Sequence, residues 1–256
     1  MAHMNKNTFF TSALFVCALT SSAWAMSGDT STYQGAVFNA EAQKPYEAVY
    51  NGSPRLFSLG GYTQGQKRDM DIHGTVQKWN IRETAAYVGM DVTRWLTVRG
   101  GGGQNKVDVG NFSGGSDGEW IAGGTLRLLD YFAMDPMIGD ESYWLGINLD
   151  GQYTGARSHL PTGTVTWNGI SAALLFSLTA RTERWGFLDR ISIFAGPAYS
   201  GIVGDDGIGF GGTIREDKSI GGIIGLAFAL SDNLTVKTEA QNFGSSSFGL
   251  GVSFHF

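Results

Sequence analysis

The segment Ser247-Phe248-Gly249-Leu250-Gly251-Val252-Ser253-Phe254-His255-Phe256 decides the fold class. Phe248, Leu250, Val252, Phe254 and Phe256 fall at every second position, with Ser247, Gly249, Gly251, Ser253 and His255 between them. Successive side chains of an extended chain point to opposite faces, so this strand has one oily face and one small, polar face. The preceding segment sets Leu234, Val236 and Ala240 against Thr235, Lys237, Glu239 and Gln241. In a soluble sandwich those charges would face water; in a membrane barrel they would face the lumen.

Working back along the chain, the same period of two, bounded by Gly, Asp, Asn and Ser clusters, predicts ten strands. They fall near 55–64, 79–91, 95–104, 119–129, 142–153, 164–179, 190–201, 218–230, 233–242 and 246–256. Segments 65–78, 105–118, 154–163 and 202–217 read as long external loops, whereas 92–94 and 231–232 read as tight turns. Long connections outside and short ones inside suit an all-β, antiparallel, up-and-down transmembrane β-barrel. Segments 130–141, 180–189 and the short turn at Gly244 fit that alternation poorly, which leaves eight or twelve strands as alternatives to ten. Trp79, Trp120 and Trp167 fall at the proposed outer strand ends, and Trp95, Trp144 and Trp185 at the inner ends, as two interfacial girdles require.

Composition excludes other classes. With 42% AVILMFWYC residues the chain is too apolar for disorder, its one cysteine rules out a disulfide scaffold, and a formal charge of −5 argues against a nucleic-acid binder. No apolar run after the N-terminus is longer than Ala172 to Phe176, which is too short for a helical span.

Residues 1–25 read as a signal peptide: Lys6 gives a positive start, Ala13 to Leu19 an apolar stretch, and Ala23-Trp24-Ala25 a cleavage site. Met1-Ala2-His3, ahead of a second start-like Met4, resembles a cloning scar. Cleavage would also remove Cys17; lipidation at Cys17 is the weaker reading, because Val16 is bulky for a lipobox. Residues 26–54, broken by Pro45, Pro54 and Asn51-Gly52, read as a periplasmic leader or partial plug before a barrel over 55–256.

Gly251-Val252-Ser253-Phe254-His255-Phe256 resembles the C-terminal signal of bacterial outer-membrane barrels in its glycine, its aromatic two from the end and its final Phe. The resemblance implies recognition of Gly251, Phe254 and Phe256 by the barrel-assembly machinery, and location in the outer membrane of a Gram-negative cell envelope. The size is similar to small OmpA-like, OmpX-like and omptin-like barrels. Such barrels serve as anchors, adhesion factors, narrow porin-like pores or surface enzymes.

Three sets of residues are candidates for function. Asp69, Asp71 and His73 recur at every second position, so in an extended loop they project from one side, as metal ligands or as an acid pair with a histidine. Omptin-type proteases use an acidic pair and an Asp-His pair from different strands, whereas these residues are contiguous; a solvated loop is the plainer reading, and no catalytic residue is assigned firmly. Lys67, Arg68, Lys78, Lys106, Arg157, Arg215 and Lys218 lie in or beside proposed outer loops, where they can meet lipopolysaccharide phosphates. Strand parity puts Glu83, Arg99, Arg127, Asp150, Lys237 and Glu239 on the lumen face, where opposite charges can pair and plug the interior. Small inward residues such as Gly60, Gly123 and Gly225 can instead leave a narrow water path or fit tight strand curvature. No metal site or cofactor is expected. The first functional reading is a non-enzymatic barrel with structural, adhesive or ligand-contacting duty. The alternatives are a narrow pore for ions or small solutes and an omptin-like surface hydrolase.

Overall fold

The computed structural model describes residues 57–72, 74–93, 95–110, 112–134, 142–161, 163–181, 188, 190–206, 213–231 and 233–256. The proposed signal peptide, the leader, His73 and Trp185 lie outside the described residues. Among the described residues the chain is an antiparallel sheet of eleven strands. These are β1 (Phe57–Ile72), β2 (Thr75–Thr93), β3 (Leu96–Val109), β4 (Phe112–Met134), β5 (Ser142–Leu160), β6 (Gly163–Arg181), β7 (Arg190–Asp206), β8 (Thr213–Glu216), β9 (Ile220–Ala229), β10 (Leu234–Asn242) and β11 (Ser246–His255).

Ten of them close into a ring. Each strand from β1 to β7 pairs with the next, β7 pairs with β9, β10 joins β9 to β11, and β11 returns to β1 with Ser58 opposite His255 and Gly65 opposite Phe248. Closure removes the exposed sheet edges that would otherwise recruit other chains. The rings of Phe57 and Phe256 stack 6.3 Å apart where the first and last strands meet.

Strand length is the main departure from the sequence reading. Strands β9 to β11 have 9 or 10 residues, the length of one bilayer crossing, whereas β1 to β7 have 14 to 23. Segments read as loops are therefore largely continued strand: β1 stays paired with β2 as far as Ile72 opposite Thr75, and β5 with β6 as far as Leu160 opposite Gly163. Their Gly and Asp residues resembled turn chemistry, but ladder hydrogen bonds hold them extended.

The long strands change partners where the short ones end. Above the β10–β11 hairpin, β8 fills the gap and pairs with both β7 (Gly204 opposite Ile214) and β1 (Met70 opposite Glu216). A ring of ten strands thus becomes a ring of eight, namely β1 to β7 plus β8. Gly244 makes the sharp hairpin turn with φ of 86°, a left-handed value that side chains with a Cβ resist.

Polarity inverts at the same level. In the lower ring the outward positions are apolar and exposed: Leu145 and Leu149 on β5, Ile170 and Phe176 on β6, and Phe248, Leu250, Val252 and Phe254 on β11. The inward positions there are polar and buried, including Gln64, Thr125, Asn148, Ser192, Thr235 and Ser253. In the upper ring Met70, Trp79, Ile81, Val107, Val165, Trp167, Ile202 and Ile214 turn inward and form one buried cluster, while Lys67, Arg82, Arg157, Thr166 and Asn168 face out. Trp79 and Trp167 therefore do not join an outer girdle: their parity turns them inward above the apolar band. Trp95 and Trp120 are about half exposed. Trp120 packs on Tyr153 with centroids 5.2 Å apart.

Gly60 shows how tightly the lower interior is filled. A Cβ there would come within 2.2 Å of the Tyr87 ring, so the glycine lets the tyrosine lie across its neighbour strand.

Candidate functional site

Charged residues of the lower interior are arranged in pairs. Arg99 Nη2 lies 3.2 Å from Asp150 Oδ1 and also donates to the Gly151 carbonyl. Arg127 reaches Asp91 at 3.6 Å, and Asp91 in turn accepts from the Thr97 hydroxyl. Lys237 Nζ lies 2.9 Å from Glu239 and 4.7 Å from the centre of the Phe194 ring. Glu83, Arg99, Arg127, Asp150, Lys237 and Glu239 are each at most 9% exposed. Buried charge is tolerated only with such compensation, because desolvation costs several kcal/mol per ion.

A second network crosses from β2 to β7. Gln64 and Gln66 both donate to Glu83, the latter at 3.3 Å; Arg68 Nε donates to Gln66 at 2.9 Å. Arg68 Nη1 donates to Glu216 Oε1 at 2.7 Å, and Ser200 Oγ donates to the other oxygen of Glu216 at 2.8 Å. This network spans the change from ten strands to eight and ties β8 to both its neighbours. Arg68 is accordingly no contact for an external lipid phosphate: its parity on β1 turns it inward, where it is 3% exposed.

The remaining basic residues form a collar. Moving up from the apolar band, the first charged outward residue is Lys67 on β1, Arg82 on β2, Lys106 on β3, Arg157 on β5 and Lys218 just before β9. Acids stand beside or above them: Asp108 is 3.8 Å from Arg82 and 3.9 Å from Lys106, and Asp69 is 4.0 Å from Lys218. Lys78 and Arg215 are exposed at a higher level. Cations directly above an apolar belt suit a surface of anionic headgroups.

Asp69 and Asp71 lie on the outward side of β1. Asp71 Oδ1 accepts from the Gly74 N–H at 2.7 Å and so caps the β1–β2 turn. Among the described residues no group of three His, Cys, Asp or Glu is placed to hold a metal ion. His159 on β5 pairs with Asp117 on the neighbouring strand β4.

Sequence reasoning missed Glu216, Arg82 and the upper apolar core. Glu216 lay in a segment read as loop, although Ile214 and Glu216 alternating with Thr213 and Arg215 carried a strand signal. Arg82 was legible from its parity with Lys78.

No family model matches the chain, and no curated protein matches it. Among solved structures it is similar to the translocator domain of the autotransporter NalP from Neisseria meningitidis, at 12% identity over 82% of this chain and 93% of that one, with a TM-score of 0.33. It is similar to the transport unit of the autotransporter AIDA-I from Escherichia coli, at 10% identity over 78% and 89%, with a TM-score of 0.34. It is also similar to Ail, the attachment invasion locus protein of Yersinia pestis, at 12% identity over 78% and 97%, with a TM-score of 0.28. These neighbours are outer-membrane β-barrels.

Proposed function

We propose that the chain is a non-conducting barrel of the bacterial outer membrane, exported by a cleaved signal peptide and inserted by the barrel-assembly machinery. Its lower ring sits in lipid, and its upper ring stands in water as a rigid tower whose hairpin tips serve a structural, adhesive or ligand-contacting role. The observation that carries this reading is the apolar core of the upper ring: Met70, Trp79, Ile81, Val107, Val165 and Ile214 are at most 1% exposed. A water-filled pore needs a polar wall along its whole length, and packed apolar side chains across one end deny ions a hydrated path. The test is conductance in planar bilayers. Purified protein should give no discrete current steps, and stable steps from the native sequence would favour the pore reading.

The collar supports lipopolysaccharide as the lipid partner, since its phosphates match Lys67, Arg82 and Lys218. Each cation near an anionic surface contributes on the order of 1 kcal/mol. Changing these three to Gln should lower the lipopolysaccharide that co-purifies with the detergent-extracted protein by about tenfold or more, and the effect should shrink with added salt. Unchanged co-purification would remove the assignment.

A further inference from the structure

The level where ten strands become eight leaves a fork in the wall. On the side of β1 away from β2, pairing with β11 ends at Gly65 and pairing with β8 begins at Met70. Gln66, Lys67 and Arg68 fall between these two registers. The fork is filled by side chains. Phe243, at the tip of the β10–β11 hairpin, is 3% exposed, and the Arg68 guanidinium lies 4.3 Å from the centre of its ring.

Behind these two residues is a cavity of about 30 Å³. Small inward residues of β6 and β7, among them Ala173 and Ala198, leave the space, and Ile223 and Gln241 complete the wall opposite. Gln241 is 3% exposed; its amide nitrogen donates to Glu239 at 2.8 Å, while its carbonyl oxygen, also buried, has no hydrogen-bond partner among the described residues. A buried acceptor without a donor costs free energy that a suitable guest would recover.

We propose that this fork is a binding site for a small aromatic molecule bearing one hydroxyl, a phenol in chemical class. The cavity alone is too small for such a ring. The Phe243 ring closes it from the fork side, so a guest ring would take the place of Phe243 beneath Arg68, keep the cation–π contact and donate its hydroxyl to Gln241. Ala173, Ala198 and Ile223 give the apolar surround. Outside the fork, Ile220 is 81% exposed and Tyr199 and Phe248 about half exposed, so a guest dissolved in lipid would approach along apolar surface. That route rests on the membrane reading above; the binding itself does not.

The full chain in detergent micelles, titrated with 4-fluorophenol and observed by fluorine NMR, tests the site. Saturable broadening of the 4-fluorophenol line is expected, with fluorobenzene, which lacks the donor, binding at least about tenfold more weakly. Ala198→Phe, which fills the cavity, and Gln241→Leu, which removes the acceptor, should each abolish that difference. Slower migration after boiling would confirm that each variant still closes its barrel. Equal broadening by both probes, or by all variants, would mean partition into detergent only and would overturn the proposal. Binding seen in Phe243→Ala but absent from the native chain would overturn it as well. Repeating the titration in lipid nanodiscs separates the two readings: loss of binding there with retention in micelles contradicts the lipid route and leaves the site standing.

Discussion

Val165→Arg will prevent the upper ring from packing, and Thr166→Arg, one residue along the same strand, will leave it intact. Val165 is fully buried in the upper cluster with Trp79, Val107 and Trp167, whereas Thr166 faces out. An arginine at Val165 would place an unpaired charge in a dry, apolar space, at a cost of several kcal/mol. A typical domain has about 5–15 kcal/mol in all, so the loss is a large share of it. At Thr166 the same side chain remains in water, and the expected change is within about 0.5 kcal/mol. Leu149→Arg, on the outward face of the lower ring, should cost about 2–4 kcal/mol in lipid, falling towards the membrane surface. Denaturant unfolding followed by tryptophan fluorescence measures all three, because Trp79 and Trp167 report on the upper core.

Removing Arg68 alone should be far more damaging than removing Arg68 and Glu216 together. Arg68→Met leaves the Glu216 carboxylate buried with only Ser200 Oγ among the side-chain donors described above. Breaking one partner of a buried ion pair typically costs about 3–5 kcal/mol. The double variant Arg68→Met with Glu216→Leu removes both members of the pair, leaves Glu83 with its Gln64 and Gln66 donors, and should recover most of that loss, though not the cation–π contact with Phe243. A double-mutant cycle from unfolding curves gives the coupling directly. Equal stability of the single and double variants would mean that the pair does not hold β8 to β1.

The closed antiparallel ring was legible because alternation is a local signal: Phe248 to Phe256 and Leu234 to Gln241 carry it without reference to the rest of the chain. The height of the wall was not. Asn105, Lys106 and Asp108 have the composition of a loop, and only their pairing across β2 and β4 extends them. Parity placed Trp79 and Trp167 by strand end but not by face relative to the lipid surface, since the polarity of both faces reverses there. Arg68 was misread for the same reason: a base beside Lys67 looks external until its register is fixed. Glu216 became visible only when the fold brought β8 against β1, a contact between residues 148 apart in sequence.

Nitroxide labels at Leu149 and at Arg157 on β5, in vesicles, test most directly whether lipid covers the outward face of the lower ring. At Leu149 the label should collide readily with oxygen and scarcely with a water-soluble nickel chelate, as a lipid-facing site does. At Arg157, on the same face two turns of the pleat beyond Tyr153, the preference should reverse. A Leu149 label shielded from both reagents would mean that a second protein layer covers that face, and would contradict a membrane-embedded ring.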